Sequence, residues 1–387
     1  MLDLPSRINP LHVALTYNQK KEGAVQNSIT PEFAEPPAAN DAAAPPPESF
    51  DTLSLSPSRS DDRFAEWDTP ETIEAVRAAL AEVHRVTLIE ADENFYDTVR
   101  RIRPDIVFNI AEGLNGVSRE AQVPAMLDML RIPYSGSDPV TLSLCLDKSR
   151  TKEILSHYGV PTARFSVVET MTDLADAGVK LPAMVKPLHE GSSRGIFNSS
   201  LVRDKKELGA AVVKVLYEYH QPALVEEFLP GREFTVGILG NAPDLRVLPA
   251  VEIRFDSLPP GVNHIYSYEA KWIWDRSDNP LRIFDCPAPL EPALLGEITG
   301  ICSRAYRLLR CRDWSRIDVR LDGSGRPHII EVNPLPGILP NPVDNSCLPK
   351  AARAAGISYN ALIQSALGFA AIRHGLASAS APVFTTL

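Results

Sequence analysis

Asp318, Glu331 and Asn333 are three oxygen-bearing side chains whose spacing could bind a divalent cation. The first lies in segment 316–321 and the other two lie in segment 328–333, and both segments have the period-two pattern of half-buried strands. Hard oxygen ligands of this kind suit Mg²⁺ held between a protein and nucleotide phosphates. A solvated hairpin with its charges facing water is the competing interpretation of the same pattern.

The register of this hairpin decides whether the three side chains meet. Glu331 and Ile330 are expected on opposite faces of the return strand. A turn centred on residues 324–325 places Asp318 directly across from Glu331. A turn centred on residues 322–323 shifts the register, and the sequence alone leaves both turns open.

A second candidate site is the loop 191–195, Gly-Ser-Ser-Arg-Gly, which follows an apolar strand ending in Lys186. Its glycines allow close backbone approach, and consecutive N–H groups can form an anion nest. A plain turn is the alternative, because such loops are common and the P-loop signature is absent. Segment 224–234 could join two lobes and offer backbone groups to an adenine edge, or it could be an ordinary connection between strands.

The composition is that of a soluble globular protein and excludes several functional classes. A chain of 387 residues predicts two or three domains, with 44% hydrophobic and 23% charged residues. The net charge of -10 argues against a nucleic-acid partner. The five scattered cysteines argue against a disulfide framework or a zinc site. Because residues 1–11 lack a signal sequence and no run could span a membrane, we expect a cytoplasmic protein.

The elements that must position these residues begin with alternating strands and helices, which predict a parallel α/β sheet. Strands are expected at 11–17, 86–89, 105–109, 165–168, 183–186, 222–228, 233–239 and 245–253. Helices are expected at 69–83, 94–101, 120–130, 147–158, 205–218, 292–309 and 350–373. The Pro/Ala-rich stretch 31–60 is expected to be a mobile insertion, 255–285 a long functional loop, and 377–387 a disordered tail.

The order and spacing of the motifs resemble D-alanine–D-alanine ligase and the wider ATP-grasp superfamily over about residues 105–370. The matching motifs are IPYSG (132–136), DK (147–148), VKP (185–187), EGSSRG (190–195), VEEFLPGREFTV (225–236), YSYEAK (266–271), RIDV (316–319), EVNPLPG (331–337) and SCLPKAARAAGIS (346–358). The resemblance implies a three-domain ATP-grasp fold of the α/β class, with α+β lobes and an N-terminal parallel-sheet domain. The implied domains are 1–135, including the insertion at 31–60, a central lobe 136–227, a C-terminal lobe 228–376, and the tail 377–387.

The resemblance also implies two cofactors, ATP and a pair of Mg²⁺ ions for which Mn²⁺ could substitute. The implied ATP-binding residues are Lys148, Lys186 and Ser193 at the phosphates, Glu226, Glu227, Phe228 and Leu229 at the adenine, and Glu233 at the ribose. The implied metal ligands are Asp318, Glu331 and Asn333. The implied catalytic residues are Arg316, Gly337, Ser192 and Lys271, and the implied substrate contacts are Ser346, Leu348 and Glu112.

The implied activity is that of an ATP-dependent carboxylate–amine ligase in cell-wall biosynthesis. ATP phosphorylates one carboxylate, and an amine attacks the resulting acyl phosphate. The partners would be small-molecule amino acids, without nucleic acid or membrane, and homodimers are frequent in the family. A ligase for other amino acids or a hydroxy acid, and a non-catalytic nucleotide-binding protein, are the alternatives.

The departures from the family pattern cluster at the positions that recognise amino acids. The glycines and the glutamate that follow the family's first strand are missing, although Glu22 could substitute for that glutamate. Glu112 replaces a histidine, Trp272 replaces a tyrosine, and Arg194 stands where a small apolar residue is usual. Extra residues at 340–345 would reshape the pocket of the second substrate. The ATP and metal positions are spared, so the ligase assignment is firmer than the D-alanine assignment.

Overall fold

The structure is a computed structural model that describes residues 9–20, 64–113, 115–176, 178–275 and 281–378. The insertion expected at 31–60, Glu22 and nearly all of the expected tail lie outside the described residues.

The N-terminal part is a parallel three-stranded sheet flanked by helices. Its strands are β1 (His12–Tyr17), β2 (Arg85–Glu90) and β3 (Ile106–Asn109), in the order β2-β1-β3. Its helices are α1 (Pro70–Ala81), α2 (Phe95–Ile102) and α3 (Gln122–Leu130). The Thr69 hydroxyl caps α1 by accepting a hydrogen bond from the Thr72 N–H at 3.3 Å, as the sequence predicts.

The central lobe contains an antiparallel four-stranded sheet and three helices. Its strands are β4 (Phe165–Val168), β5 (Ala183–Pro187), β6 (Leu201–Val202) and β7 (Ala223–Glu227), in the order β4-β7-β5-β6. Its helices are α4 (Pro139–Leu146), α5 (Lys148–His157) and α6 (Lys205–Lys214). Helix α4 was not expected from the sequence, because its short apolar run shows no helical periodicity. The N-cap Asp138, which accepts the Thr141 N–H at 2.9 Å, was the available indication.

The C-terminal lobe is built on a six-stranded sheet. Its strands are β8 (Glu233–Asn241), β9 (Asp244–Val247), β10 (Val251–Ile253), β11 (Phe284–Asp285), β12 (Trp314–Leu321) and β13 (Pro327–Asn333), in the order β11-β10-β8-β12-β13, with β9 paired to β8. Its helices are α7 (Pro292–Leu308), α8 (Cys347–Ala354) and α9 (Tyr359–Arg373). Within the described ranges, no single helix is long and apolar enough to cross a membrane.

Two expectations about this lobe were wrong. The strand expected at 245–253 is two strands, because Pro249 has no N–H with which to continue a ladder. The segment 255–285 was expected to be a loop, but residues 269–274 form a π-helical turn and β11 follows.

The hairpin of β12 and β13 carries a β-bulge that sets its functional register. Asp318 pairs with Glu331, but Val319 pairs with Ile329, so Ile330 is the extra residue. The expectation that Ile330 lies on the face opposite Glu331 is therefore wrong, and its side chain lines the cleft described below. The bulge places the Asp318 and Glu331 carboxylates opposite each other, although the turn at residues 322–325 is tight.

Candidate active site

A cleft of about 970 Å³, including its open mouth, separates the four-stranded sheet from the six-stranded sheet. Met184, Lys186 and Glu226 face it from one sheet, and Thr235 and Asp318 face it from the other. Every residue that the sequence analysis assigned to ATP lines this cleft: Lys148, Lys186, Ser193, Glu226, Glu227, Phe228, Leu229 and Glu233. The antiparallel pairing of β7 with β5 explains the grouping, because it places Lys186 and Glu226 on neighbouring strands.

A buried charge cluster lies at the floor of the cleft. The Glu226 carboxylate forms ion pairs with the Lys152 ammonium, at 2.7 Å, and with the Lys186 ammonium. Burial opposes the charged form of Glu226, but the two lysines outweigh it and lower the pKa of Glu226 to about 2. Glu226 therefore holds Lys186 in place, and it also lines the cleft in which the adenine contact is predicted.

The inner end of the cleft is organised by Arg320, a residue that the sequence analysis did not assign. Its guanidinium donates hydrogen bonds to the Glu233 carboxylate and to the Leu229 carbonyl oxygen, both at 2.6 Å, and stacks on Phe228 at 4.8 Å. Burial raises the pKa of Glu233, and Arg320 partly offsets this. Arg320 thus fixes the strand-to-strand connection that lines the expected adenine and ribose positions.

The three expected metal ligands lie together where the hairpin meets the cleft. Asp318 accepts hydrogen bonds from Thr235 at 2.8 Å and from Asn333 at 3.4 Å. Arg316 lies 3.0 Å from Asp318, and Lys148 lies 3.0 Å from Glu331. Two carboxylates and an amide are hard oxygen donors, so the set fits Mg²⁺. Among the described residues, no group of three His, Cys, Asp or Glu side chains is arranged to hold a metal ion.

Glu331 is kept ionised by its neighbours. Burial alone would raise its pKa, but Lys148 and Arg316 lower it to about 2. An ionised carboxylate at this position is the state that a divalent cation requires.

A second cavity of about 780 Å³ adjoins the cleft. The two cavities share the residues Lys148, Glu190, Ser192, Lys271, Arg316 and Glu331. Glu112, Asn333 and Gly337 line the second cavity only. All four residues expected to be catalytic therefore border this cavity, and three of them also border the cleft.

The glycine-serine loop lies at the junction of the two cavities and is held from several sides. Ser192 and Ser193 both have positive φ values, 50° and 62°, which is a strained backbone for residues with a side chain. The Ser193 hydroxyl donates to the Tyr266 carbonyl oxygen at 2.9 Å. The Trp272 indole N–H donates to the Ser192 carbonyl oxygen at 3.0 Å. Trp272 thus keeps a link to this loop, although as a donor only.

Lys271 projects from the π-helical turn 269–274 into the junction. Burial lowers its pKa to about 8, and the nearby Arg316 acts in the same direction. A lysine with this pKa changes charge near neutral pH, so the local field of the site depends on its protonation state.

Two of the expected substrate contacts, Ser346 and Leu348, are buried. Ser346 is buried, and its hydroxyl donates to the Gly337 carbonyl oxygen at 3.3 Å and accepts from the Leu339 N–H at 3.2 Å. The Leu348 side chain is fully buried in the core, where a Cβ on Gly237 would meet it. Neither Ser346 nor Leu348 lines the two cavities.

Several residues of the site were missed by sequence reasoning. Lys152 lies one turn after Lys148 on α5, and Arg320 lies two residues after Asp318 on β12, so both could have been found from spacing. Glu66 and Asp68 belong to no motif, and only the tertiary structure brings them to the second cavity.

Comparisons with known proteins agree with this arrangement. The family model of the D-ala D-ala ligase C-terminus matches residues 154–368. The uncharacterized protein y4sG of Sinorhizobium fredii is 36% identical over 317 residues, covering 80% of this chain and 90% of that protein. The D-alanine–D-alanine ligase of Bordetella petrii is 34% identical over 301 residues, covering 75% and 86%.

Solved structures bear on the fold. The D-alanine–D-alanine ligase of Bacillus anthracis complexed with ATP has a TM-score of 0.63 at 21% identity and covers 94% of this chain and 99% of that chain. The VanG D-Ala:D-Ser ligase of Enterococcus faecalis has a TM-score of 0.62 at 19% identity, with the same coverage. The ATP-grasp fold of the α/β class that the sequence predicts is thereby confirmed.

Proposed function

Because this chain belongs to the D-alanine–D-alanine ligase family of ATP-dependent ligases, we propose that it joins two amino acids across the two cavities described above. The cleft takes ATP, and the second cavity takes the amino acids. The observation that carries this proposal is the junction, where Lys148, Ser192, Lys271 and Arg316 border both cavities. A phosphoryl group leaving a nucleotide in the cleft would meet a carboxylate in the second cavity there.

The chemistry proposed for the junction is carboxylate activation. A carboxylate oxygen attacks the terminal phosphorus of ATP, ADP leaves, and an acyl phosphate forms. The amine of the second amino acid then attacks the acyl carbon, and phosphate leaves. Lys148, Lys186 and Lys271 supply positive charge around the phosphates throughout, which stabilises charge as it moves.

Mg²⁺ is proposed as the metal, held by Asp318, Glu331 and Asn333. When bound there, it would neutralise phosphate charge. The chain's own contribution is to keep both carboxylates ionised and oriented, through Thr235 at Asp318 and Lys148 at Glu331.

Arg316 is proposed to stabilise the oxyanion that forms when the amine attacks. It borders both cavities, and one of its nitrogens, Nε, is buried without a hydrogen-bond acceptor among the described residues. The Gly337 backbone N–H would supply a second donor from the cavity wall. The loop 191–195 and the turn 269–274 would exclude water from the acyl phosphate.

The location and the assembly state complete the proposal. The cytoplasm supplies ATP, and all five cysteines are free thiols, so both features fit a cytoplasmic enzyme. A homodimer is proposed from the family alone.

The proposal is tested by measuring ADP release from the full chain with Mg²⁺-ATP and a panel of D- and L-amino acids and D-lactate, with mass spectrometry of the products. The double variant Asp318→Asn/Glu331→Gln should lose ADP release by at least about a hundredfold, because it removes both carboxylates of the proposed metal site. The control Glu93→Gln/Asp97→Asn makes the same charge change at exposed positions and should keep full activity. Equal turnover by the two double variants would refute the mechanism.

A further inference from the structure

One wall of the second cavity is acidic. Glu66, Asp68, Glu112 and Glu120 line it. Glu66 is neutralised by Arg119, whose guanidinium lies 2.7 Å from its carboxylate. Asp68, Glu112 and Glu120 accept no side-chain hydrogen bond and form no ion pair with any residue that the structure describes. Three carboxylates of this wall therefore have no partner within the described chain.

Glu120 is the most informative of the three. It is only 9% exposed, and the surface that it retains faces the cavity. The two cations that act on it are already committed. Arg119 donates to Glu66 and to the His189 carbonyl oxygen, both at 2.7 Å, and Lys148 pairs with Glu331 at 3.0 Å. A buried carboxylate without a partner is costly, so Glu120 suits a cationic group that enters the cavity from outside the chain.

The pKa values of the acidic residues in this wall agree with the absence of a partner for them. Burial and the nearby Glu66 outweigh the opposing effect of Arg119 and raise the pKa of Glu120 to about 8. Burial, and then the charge of Glu120, raise the pKa of Glu112 well above its ordinary value. Glu112 and Glu120 thus repel each other, and a cation between them would relieve that repulsion.

The number of carboxylates exceeds what two neutral amino acids need. The acyl donor brings one α-ammonium group, which one carboxylate can bind. Two carboxylates of the wall are left, and together they suit a further cationic group.

We propose that Glu112 and Glu120 bind a side-chain amino or guanidinium group, so that one substrate of this ligase is a basic amino acid. Both residues lie on the connection between β3 and α3, whereas Asp68 comes from the separate segment 64–68 and remains for the α-ammonium group. This inference rests on the proposed ligase function and specifies its substrate class.

The test compares cationic amino acids with neutral analogues of similar shape. ADP release from the full chain with Mg²⁺-ATP is measured for lysine against norleucine, ornithine against norvaline and arginine against citrulline, in both enantiomers, and for D-alanine. At least one cationic amino acid should exceed its neutral analogue and D-alanine by about tenfold or more in kcat/KM, because only the cationic side chain can form a buried charge pair with the glutamates.

Variants separate recognition from catalysis. Glu112→Gln and Glu120→Gln should each raise KM for the preferred cationic substrate by about tenfold while kcat changes little. Glu120→Asp should retain part of the preference, and the exposed control Glu93→Gln should retain all of it. Neither glutamine variant should lower thermal stability, since each removes an unpartnered buried carboxylate.

The outcomes distinguish this inference from the function on which it rests. If neutral amino acids or D-alanine turn over at least as well as the cationic ones, the ligase function stands and the basic-substrate inference is overturned. If ATP binds but no amino acid stimulates ADP release, both are overturned. The comparison on the unmodified chain decides the question even if a variant fails to fold.

Discussion

Glu226→Gln tests whether the buried charge cluster at the floor of the cleft both stabilises the fold and positions a phosphate-binding lysine. The wild-type carboxylate lies between Lys152 and Lys186 and is almost fully buried. Glutamine has nearly the same shape, but it leaves two ammonium groups without a counter-charge. A pKa lowered from 4.5 to about 2 corresponds to about 3 kcal/mol favouring the charged form. Breaking a buried ion pair costs about 3–5 kcal/mol, so the two figures agree.

The assay is urea denaturation at pH 7.5, together with the KM for ATP. We expect the free energy of unfolding to fall by about 3 kcal/mol and the KM for ATP to rise, since Lys186 loses its anchor. The control Glu153→Gln removes an exposed pair with Arg150 and should cost at most about 1 kcal/mol. Because the folded pKa of Glu226 lies below the unfolded one, its contribution is complete above pH 4.5 and is lost as the pH falls towards 2. Equal stability of the two variants at pH 7.5 would refute the reasoning.

Three further predictions concern the loops of the site. The kcat/KM for ATP should decrease as the pH rises through about 8, because Lys271 loses its charge. Lys271→Arg should remove this pH dependence, and an unchanged pH profile in the variant would exclude Lys271 as the source of the dependence. Trp272→Phe removes the indole hydrogen bond to the glycine-serine loop, which is worth about 1 kcal/mol, so kcat should fall about fivefold and more ADP should be released per ligated product. An unchanged ratio of ADP to ligated product would mean that this hydrogen bond does not hold the loop closed. Gly195→Ala should lower the melting temperature, because the φ of Gly195 is +70° and an added Cβ would lie 2.3 Å from a proline side chain. The control Gly209→Ala lies in open space on a helix and should raise the melting temperature slightly, so similar melting temperatures for the two variants would contradict the strain argument.

Local pattern was sufficient wherever an element is defined by its own residues. The alternation of Arg316, Asp318 and Arg320 with apolar residues predicted β12, because a strand presents alternate side chains to opposite faces. Thr69 and the spacing that follows it predicted α1 with its cap. The motifs also identified the family and its ATP-dependent activity, since they occur in the family's order.

Local pattern failed where the outcome depends on how distant segments pack. The bulge at Ile330 was not predictable, because it depends on how β13 pairs with β12. The ion pairs of Glu226 were not anticipated, because Lys186 approaches it through the pairing of β5 with β7 and Lys152 approaches it from α5. These are contacts across long sequence separations, which periodicity does not record.

By itself, the sequence determined the fold class and the family, and it predicted residues that line one cleft, because alternation and motif order are properties of short segments. Only the tertiary structure decided that Asp68, Glu112 and Glu120 share one wall of the second cavity without partners. The physical reason is that the cost of an unpaired carboxylate depends on burial and on neighbouring charge, and both are set by segments far apart in the chain.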